Sequence, residues 1–225
     1  MAMNVNIHRF FLFSENIWYS LVMKYYLLIF VGCVLLAGYF IFFNVSPTVT
    51  NVPSDGTSIV AFGDSLVEGV GASGGKDFVS ILSRQIDKPI LNLGHRGDTT
   101  RDALTRIDEV LEQDPKVVLV LLGGNDYLQQ IPETETFENL EQIIQTIHQS
   151  GSAVLLLGVR GGILRDNFKG RFAALAKKHR TAYVSDVLDN LLGNQQLMAD
   201  SVHPNDAGYQ VIAKRVQPEL EALLE

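Results

Sequence analysis

The sequence predicts an α/β fold: a three-layer α/β/α sandwich with a mainly parallel five-stranded sheet, preceded by one N-terminal transmembrane helix. Three observations carry that expectation. Short apolar segments alternate with segments of helical period from residue 58 to residue 224, the pattern of a parallel sheet with helices on both faces. Two of the apolar segments, 116–122 and 153–159, show no polar alternation, as expected of strands covered on both sides. Ahead of them, residues 25–45 hold no charged side chain over 21 positions, close to the ~20 apolar residues that cross a bilayer core.

Flanking charge orients that first segment. Arg9 and Lys24 precede it, and no lysine or arginine follows until Lys76. The positive-inside rule then puts residues 1–24 in the cytoplasm and the large domain outside, in the periplasm of a Gram-negative cell. A retained signal anchor is the preferred reading over a cleaved signal peptide, whose apolar region is shorter, about 7–15 residues. Cleavage, with release to the periplasm, stays as the alternative. Cys33 lies inside the run and is the single cysteine, so no intramolecular disulfide or cysteine-based metal site is available. A lipoprotein reading at Cys33 is disfavoured because the apolar run continues beyond it. Met23 is a second plausible start. Residues 46–57, with two prolines and a glycine, read as a linker that spans at most roughly 40 Å.

The domain proper covers 58–225. Residues 58–62 form a short strand ending at Gly63, and 78–86 a helix with Phe78, Ile81, Leu82 and Gln85 on one side. A second strand covers 90–93. Thr99 is suited to cap one helix running through Ala103, Leu104, Ile107, Val110 and Leu111. Strand 116–122 follows, then a helix opened by Thr134 or Thr136, with Phe137, Leu140, Ile143, Ile144 and Ile147 inward. Strand 153–159, helix 168–179, strand 182–185 and helix 206–224 complete the chain. A net charge of −7 without blocks of Lys or Arg gives no reason to expect nucleic acid.

Four segments carry chemistry. Gly63-Asp64-Ser65-Leu66, Gly94-His95-Arg96-Gly97-Asp98 and Gly123-Gly124-Asn125-Asp126 each follow a predicted strand, where sheets of this kind form their sites. Asp200-Ser201-Val202-His203-Pro204 follows the last strand and an irregular stretch. Each has a plainer explanation. Ser65 can merely cap a helix, Asn125 can satisfy a loop, and glycines such as Gly97 are ordinary after strands. Asp200 and His203 can be surface residues ahead of a helix capped by Asp206. Together they supply a serine nucleophile, a backbone and a side-chain oxyanion donor, and a carboxylate placed to orient an imidazole. Neither the Gly-x-Ser-x-Gly elbow nor a Walker loop is present around them.

In order and context these segments resemble the four blocks of the SGNH hydrolases, or GDSL family, over about residues 58–224. The resemblance is greatest to the bacterial thioesterase I, lysophospholipase and arylesterase group. It implies a flavodoxin-like sheet, with Ser65 as nucleophile, His203 as general base and acid, and Asp200 orienting His203. The oxyanion hole it implies comprises the backbone N–H of Ser65, the N–H of Gly97 and the side-chain amide of Asn125. Residues 127–132 would shape the acyl site and Asp64 would support the loop. At 160–164 the sequence departs from that group with a shorter, more flexible loop, so chain-length preference does not carry over.

The expected activity is hydrolysis of carboxylic and thio-esters of acyl chains through an acyl-enzyme, without metal or organic cofactor. The expected partners are a small acyl ester or lysolipid and the membrane, with the protein a monomer. Removal of acetyl groups from cell-wall or exported polysaccharide is the alternative within the enzyme class. A non-catalytic binding module on the same fold is the alternative outside it.

Overall fold

The structure, a computed structural model, describes residues 23–36, 48–160 and 168–225. They fall into two compact units that divide after Pro47. In the first, helix α1 runs over residues 23–36 and exposes apolar side chains such as Leu27, Phe30 and Leu35. The expected membrane span continues through residues 37–45, which lie outside the described residues, as does the segment 1–22. Among the described residues no helix is long and apolar enough to cross a membrane.

The second unit, Thr48–Glu225, is built on β1 (Ser58–Gly63), β2 (Leu91–Gly94), β3 (Pro115–Leu121), β4 (Ala153–Leu157) and β5 (Ala182–Val184). All neighbours pair in parallel in the order β2-β1-β3-β4-β5. That order is the flavodoxin-like doubly wound arrangement, whose direction of winding reverses between β1 and β3. Every residue of β4, and every residue of β3 except Lys116, is buried, which explains why neither strand alternates. The edge strand β2 is largely exposed.

Among the described residues, eight helices connect or flank these strands: α2 (Ser65–Glu68), α3 (Phe78–Gln85), α4 (Thr100–Thr105), α5 (Asp108–Leu111), α6 (Gly124–Leu128), α7 (Glu133–Gln149), α8 (Phe168–His179) and α9 (Asp206–Leu224). One outer layer is formed by α3 against α9, the other by α7 against α4 and α8. In α7 the inward stripe is Phe137, Leu140, Ile143, Ile144 and Ile147, all buried. Phe137, Phe168 and Phe172 meet edge to face between α7 and α8.

Local structure departs from the sequence reading in four places. The helix expected from Thr99 to Leu111 is broken: α4 has its C-cap at Arg106, with φ −118° and ψ 21°, and α5 restarts at Asp108. Thr105 Oγ1 donates to Asp102 O at 2.7 Å, a local bond that competes with helix continuation, while the Arg106 side chain turns inward. Helix α7 starts at Glu133 after Pro132 rather than on a threonine cap, with Glu133 and Glu135 favourably placed at its positive end. Strand β4 stops at Leu157: Gly158 N still donates to Val184 O of β5 at 2.8 Å, but its carbonyl accepts from Val187 N, in the loop after β5, at 3.0 Å.

The fourth departure concerns residues 48–57, read as part of a linker. Thr50 donates through N to Arg180 O and through Oγ1 to His179 O, each at 2.9 Å. Asn51 Nδ2 donates to His148 O (2.8 Å) and Ser152 O (3.0 Å), and Ser54 Oγ to Gly151 O (2.8 Å). These carbonyls lie at the C-terminal ends of α7 and α8 and in the turns that follow, where intrahelical donors run out. Val49 packs on the core. The reach of roughly 40 Å therefore does not apply to 46–57, of which residues 50–54 are fastened along the amino edge of the sheet.

Candidate active site

At the carboxyl edge, β1 passes directly into a helix. A Cβ on Gly63 would lie 2.2 Å from Leu121 O, so only glycine lets β1 end this close to β3. Asp64 then caps α2: its Oδ1 accepts from Leu66 N at 2.9 Å. Ser65 is the first residue of that helix, mostly buried but facing the cleft. Its own side chain is thus not the cap, and the plainer reading of Ser65 falls to Asp64.

His203 reaches Ser65 from the other end of the chain. A single bridge between Met198 and Pro204 closes the 198–204 loop, and within it Asp200 Oδ1 accepts from Val202 N and His203 N, both at 2.8 Å. Asp200 Oδ2 stands 2.7 Å from His203 Nδ1, and His203 Nε2 stands 3.0 Å from Ser65 Oγ. With Nδ1 protonated and donating to Asp200, Nε2 presents a lone pair to the serine hydroxyl, the tautomer these partners favour. The His203 ring and the Val202 N–H hold the Asp200 carboxyl down at about 2, so it is ionised at neutral pH. Helix α9 is capped by Asn205, whose Oδ1 accepts from Ala207 N and Gly208 N, and not by Asp206. Asp206 instead accepts from Ser73 N, Ser73 Oγ and Lys76 Nζ at 2.5–2.9 Å, and Tyr209 OH donates to Val70 O at 2.8 Å. These bonds fasten the loop after α2 beside the histidine loop.

Gly97 and Asn125 line the same cleft as Ser65 and His203. Gly97 has φ +88°, a left-handed conformation that glycine adopts without strain. Asn125 is the second residue of α6, whose N-cap Gly123 has φ +106°. One hydrogen of its amide goes to Asp98 O at 2.9 Å, and the other remains for a ligand. Behind them, Asp126 is fully buried and accepts from Thr100 N (2.9 Å) and Thr100 Oγ1 (2.5 Å), while Asn139 Nδ2 also donates to that hydroxyl. This latch joins the loops after β2 and β3. Asp64 is pushed up to about 7, first by burial and then by the nearby Asp98 and Asp126.

The cleft has a volume of about 800 Å³. Its walls are mainly apolar, from Leu66, Tyr127, Leu128, Val159, Leu188, Leu192 and Val202, with Arg96 and Arg160 also facing it. Of the expected acyl-site loop 127–132, Tyr127 and Leu128 line the cleft. Arg160 is held by Asp186 at 2.8 Å and Asp189 at 3.1 Å. The expectation of a shortened, flexible loop at 160–164 falls on 161–164, outside the described residues. Among the described residues no group of three or more His, Cys, Asp or Glu side chains is arranged to hold a metal ion.

Arg106, Leu188 and Leu192 belong to none of the sequence motifs, and Thr100 stands in the Gly97-Asp98-Thr99-Thr100 block without a role assigned to it. Of the first three, only Arg106 left a trace in the sequence, as a charged residue between inward-facing Ala103 and Ile107.

A serine, an imidazole and a carboxylate linked at hydrogen-bond distance, beside two amide donors at the carboxyl edge of a doubly wound sheet, define the class: α/β proteins built for serine-nucleophile chemistry. Residues 61–211 match the model of the GDSL-like lipase/acylhydrolase family, and the chain belongs to that family. Esterase TesA of Pseudomonas aeruginosa is 30% identical over 179 residues, covering 74% of this chain and 89% of the relative. A thioesterase 1/protease 1/lysophospholipase L1 of Escherichia coli is 28% identical over 176 residues, covering 74% and 85%. Among solved structures, a crystal structure of TesA superimposes with a TM-score of 0.69 at 28% identity, covering 74% of this chain and 99% of that one.

Proposed function

We propose that this protein is a serine esterase in which Ser65, His203 and Asp200 carry the chemistry. The observation that carries the reading is the unbroken path from Asp200 Oδ2 through both ring nitrogens of His203 to Ser65 Oγ, in steps of 2.7 and 3.0 Å. As Ser65 Oγ attacks an ester carbonyl, its proton passes to His203 Nε2, and the ionised Asp200 stabilises the imidazolium. Negative charge developing on the carbonyl oxygen is met by the N–H groups of Ser65 and Gly97 and by the free amide hydrogen of Asn125. His203 then returns the proton to the departing alcohol or thiol. In the second half, it takes a proton from water, which attacks the acyl-enzyme, and passes that proton to Ser65 Oγ as the acid leaves.

For the substrate, the apolar walls support an acyl chain longer than acetyl, and the breadth of the cleft supports both ester and thioester leaving groups. The family and the names of its relatives, an esterase and a thioesterase/lysophospholipase, fit that choice. The proposal extends to location: residues 25–45 are a retained signal anchor, supported by their uncharged sequence and by the cations that only precede them, with a monomeric catalytic unit in the periplasm.

The test is hydrolysis of p-nitrophenyl acetate, octanoate and palmitate by the wild type and Ser65→Ala. Activity is expected to vanish in the variant and to be greater on octanoate than on acetate. Undiminished turnover by Ser65→Ala overturns the nucleophile, and a strong preference for acetate overturns the acyl-chain reading in favour of deacetylation.

A further inference from the structure

We infer that Arg106 is a positioning residue that sets the oxyanion hole, by clamping the loop after β1 to the loop after β2. Its side chain is only 10% exposed. Nε donates to Asp98 Oδ2 at 2.6 Å and Nη2 to Gly63 O at 3.0 Å, and Nη1 lies 3.5 Å from Glu109. The group also lies over the Phe62 ring, 4.5 Å from its centre. Each partner adjoins a proposed donor. Gly63 is two residues before Ser65, and its carbonyl also accepts from His95 N of the second loop at 2.9 Å. Asp98 follows Gly97 directly, and its own carbonyl holds the Asn125 amide at 2.9 Å. One planar fork therefore fixes the relative placement of Ser65 N, Gly97 N and Asn125 Nδ2, without itself lining the cleft.

Geometry explains why arginine is needed. Two acceptors on different loops are reached by two nitrogens at fixed spacing, which the single ammonium of lysine does not reproduce. The break between α4 and α5 fits the same role, since the C-cap backbone of Arg106 turns its side chain inward. Misplacing reacting groups by about 1 Å costs on the order of 100-fold in rate, so a residue remote from the substrate can act mainly on kcat.

This inference rests on the oxyanion reading of Gly97 and Asn125, so Arg106→Lys is measured together with Asn125→Ala and the double variant, on p-nitrophenyl octanoate. Arg106→Lys is expected to lower kcat about 10- to 100-fold with KM within about threefold, at a Tm near that of the wild type. Combined with Asn125→Ala, the losses in kcat are expected to be less than multiplicative, because both act on one site. Should Arg106→Lys fail to fold, Asp98→Asn/Arg106→Gln removes both charges together and is expected to fold and show the same kcat loss. A folded Arg106→Lys with kcat within twofold of the wild type overturns the inference. So does a change confined to KM, or a failure of both replacements to fold, which makes Arg106 purely structural. If Asn125→Ala is as active as the wild type, the oxyanion reading itself has failed, whatever Arg106 does.

Discussion

The two edges of the sheet are built from the same kind of material and held in opposite ways. At the amino edge, the carbonyls at the ends of α7 and α8 are covered by side chains of the incoming chain, with Thr50, Asn51 and Ser54 each donating to one or two of them. At the carboxyl edge, ionisable groups are buried at Asp64 and Asp126, an arginine is enclosed beneath the loops, and glycines take left-handed conformations at Gly97 and Gly123. Buried polar groups of this sort weigh against stability unless every one is partnered. The difference teaches what each edge is for: the amino edge closes on the incoming chain, and the carboxyl edge holds Ser65, His203 and the amide donors open to a cleft.

Substitutions at the two edges should separate along that line. The largest effect is expected from His203→Ala, which removes the base and should lower kcat on the order of 10⁶-fold with little change in Tm, as read by steady-state kinetics and thermal unfolding. Asn125→Ala should cost about 10²–10³ in kcat with KM nearly unchanged. A comparable loss in KM instead would move Asn125 from the oxyanion to ground-state binding. Asn51→Ala at the amino edge should do the reverse. The Ser152 carbonyl loses its donor and the His148 carbonyl keeps only Gly151 N at 3.1 Å, so stability falls by about 1–3 kcal/mol in urea unfolding, and kcat and KM stay within twofold. A large loss of activity there would erase the contrast between the edges.

The last prediction concerns stability alone, as a pair of opposed pH dependences. Asp64 is raised from its ordinary value to about 7 by burial, so the folded state binds the extra proton and stability falls as pH rises from about 4 to 7. His148, beside the amino edge, is lowered to about 4, by burial first and then by His179 and Arg180. The folded state there binds fewer protons than the unfolded one, and stability rises over about pH 4 to 6.5. Urea midpoints across this window should therefore slope more steeply upward in Asp64→Asn and downward in His148→Gln. Equal slopes in both variants and the wild type would contradict the placement of these groups.

Much of this contrast is visible in the sequence, and what is not has a common cause. Uniformly apolar strands, inward stripes such as Phe137 to Ile147, and glycines after strands are local signals, and all five strands and most helices follow from them. Ser65, Gly97, Asn125 and the Asp200–His203 pair were legible because each stands in a short motif at a predicted strand end or helix start. The hidden features depend on contacts distant in sequence. Arg106 meets Gly63 across 43 positions, and Thr50 meets His179 across 129. Composition made residues 46–57 look like a free linker because serine, threonine and asparagine serve equally well in a solvated chain and as donors to helix ends. The α4–α5 break was hidden for a similar reason, since its apolar stripe continues through Ile107 and Val110 while Arg106 turns inward to partners that no local pattern announces.

The most direct test of the central claim, that Ser65 at the carboxyl edge is an activated nucleophile, is covalent labelling of the protein with a fluorophosphonate followed by peptide mass mapping. One adduct per chain at Ser65 is predicted, with esterase activity lost in proportion to labelling and neither event in Ser65→Ala. Full hydrolysis of p-nitrophenyl octanoate by protein that remains unlabelled, or labelling at a different residue, would contradict it.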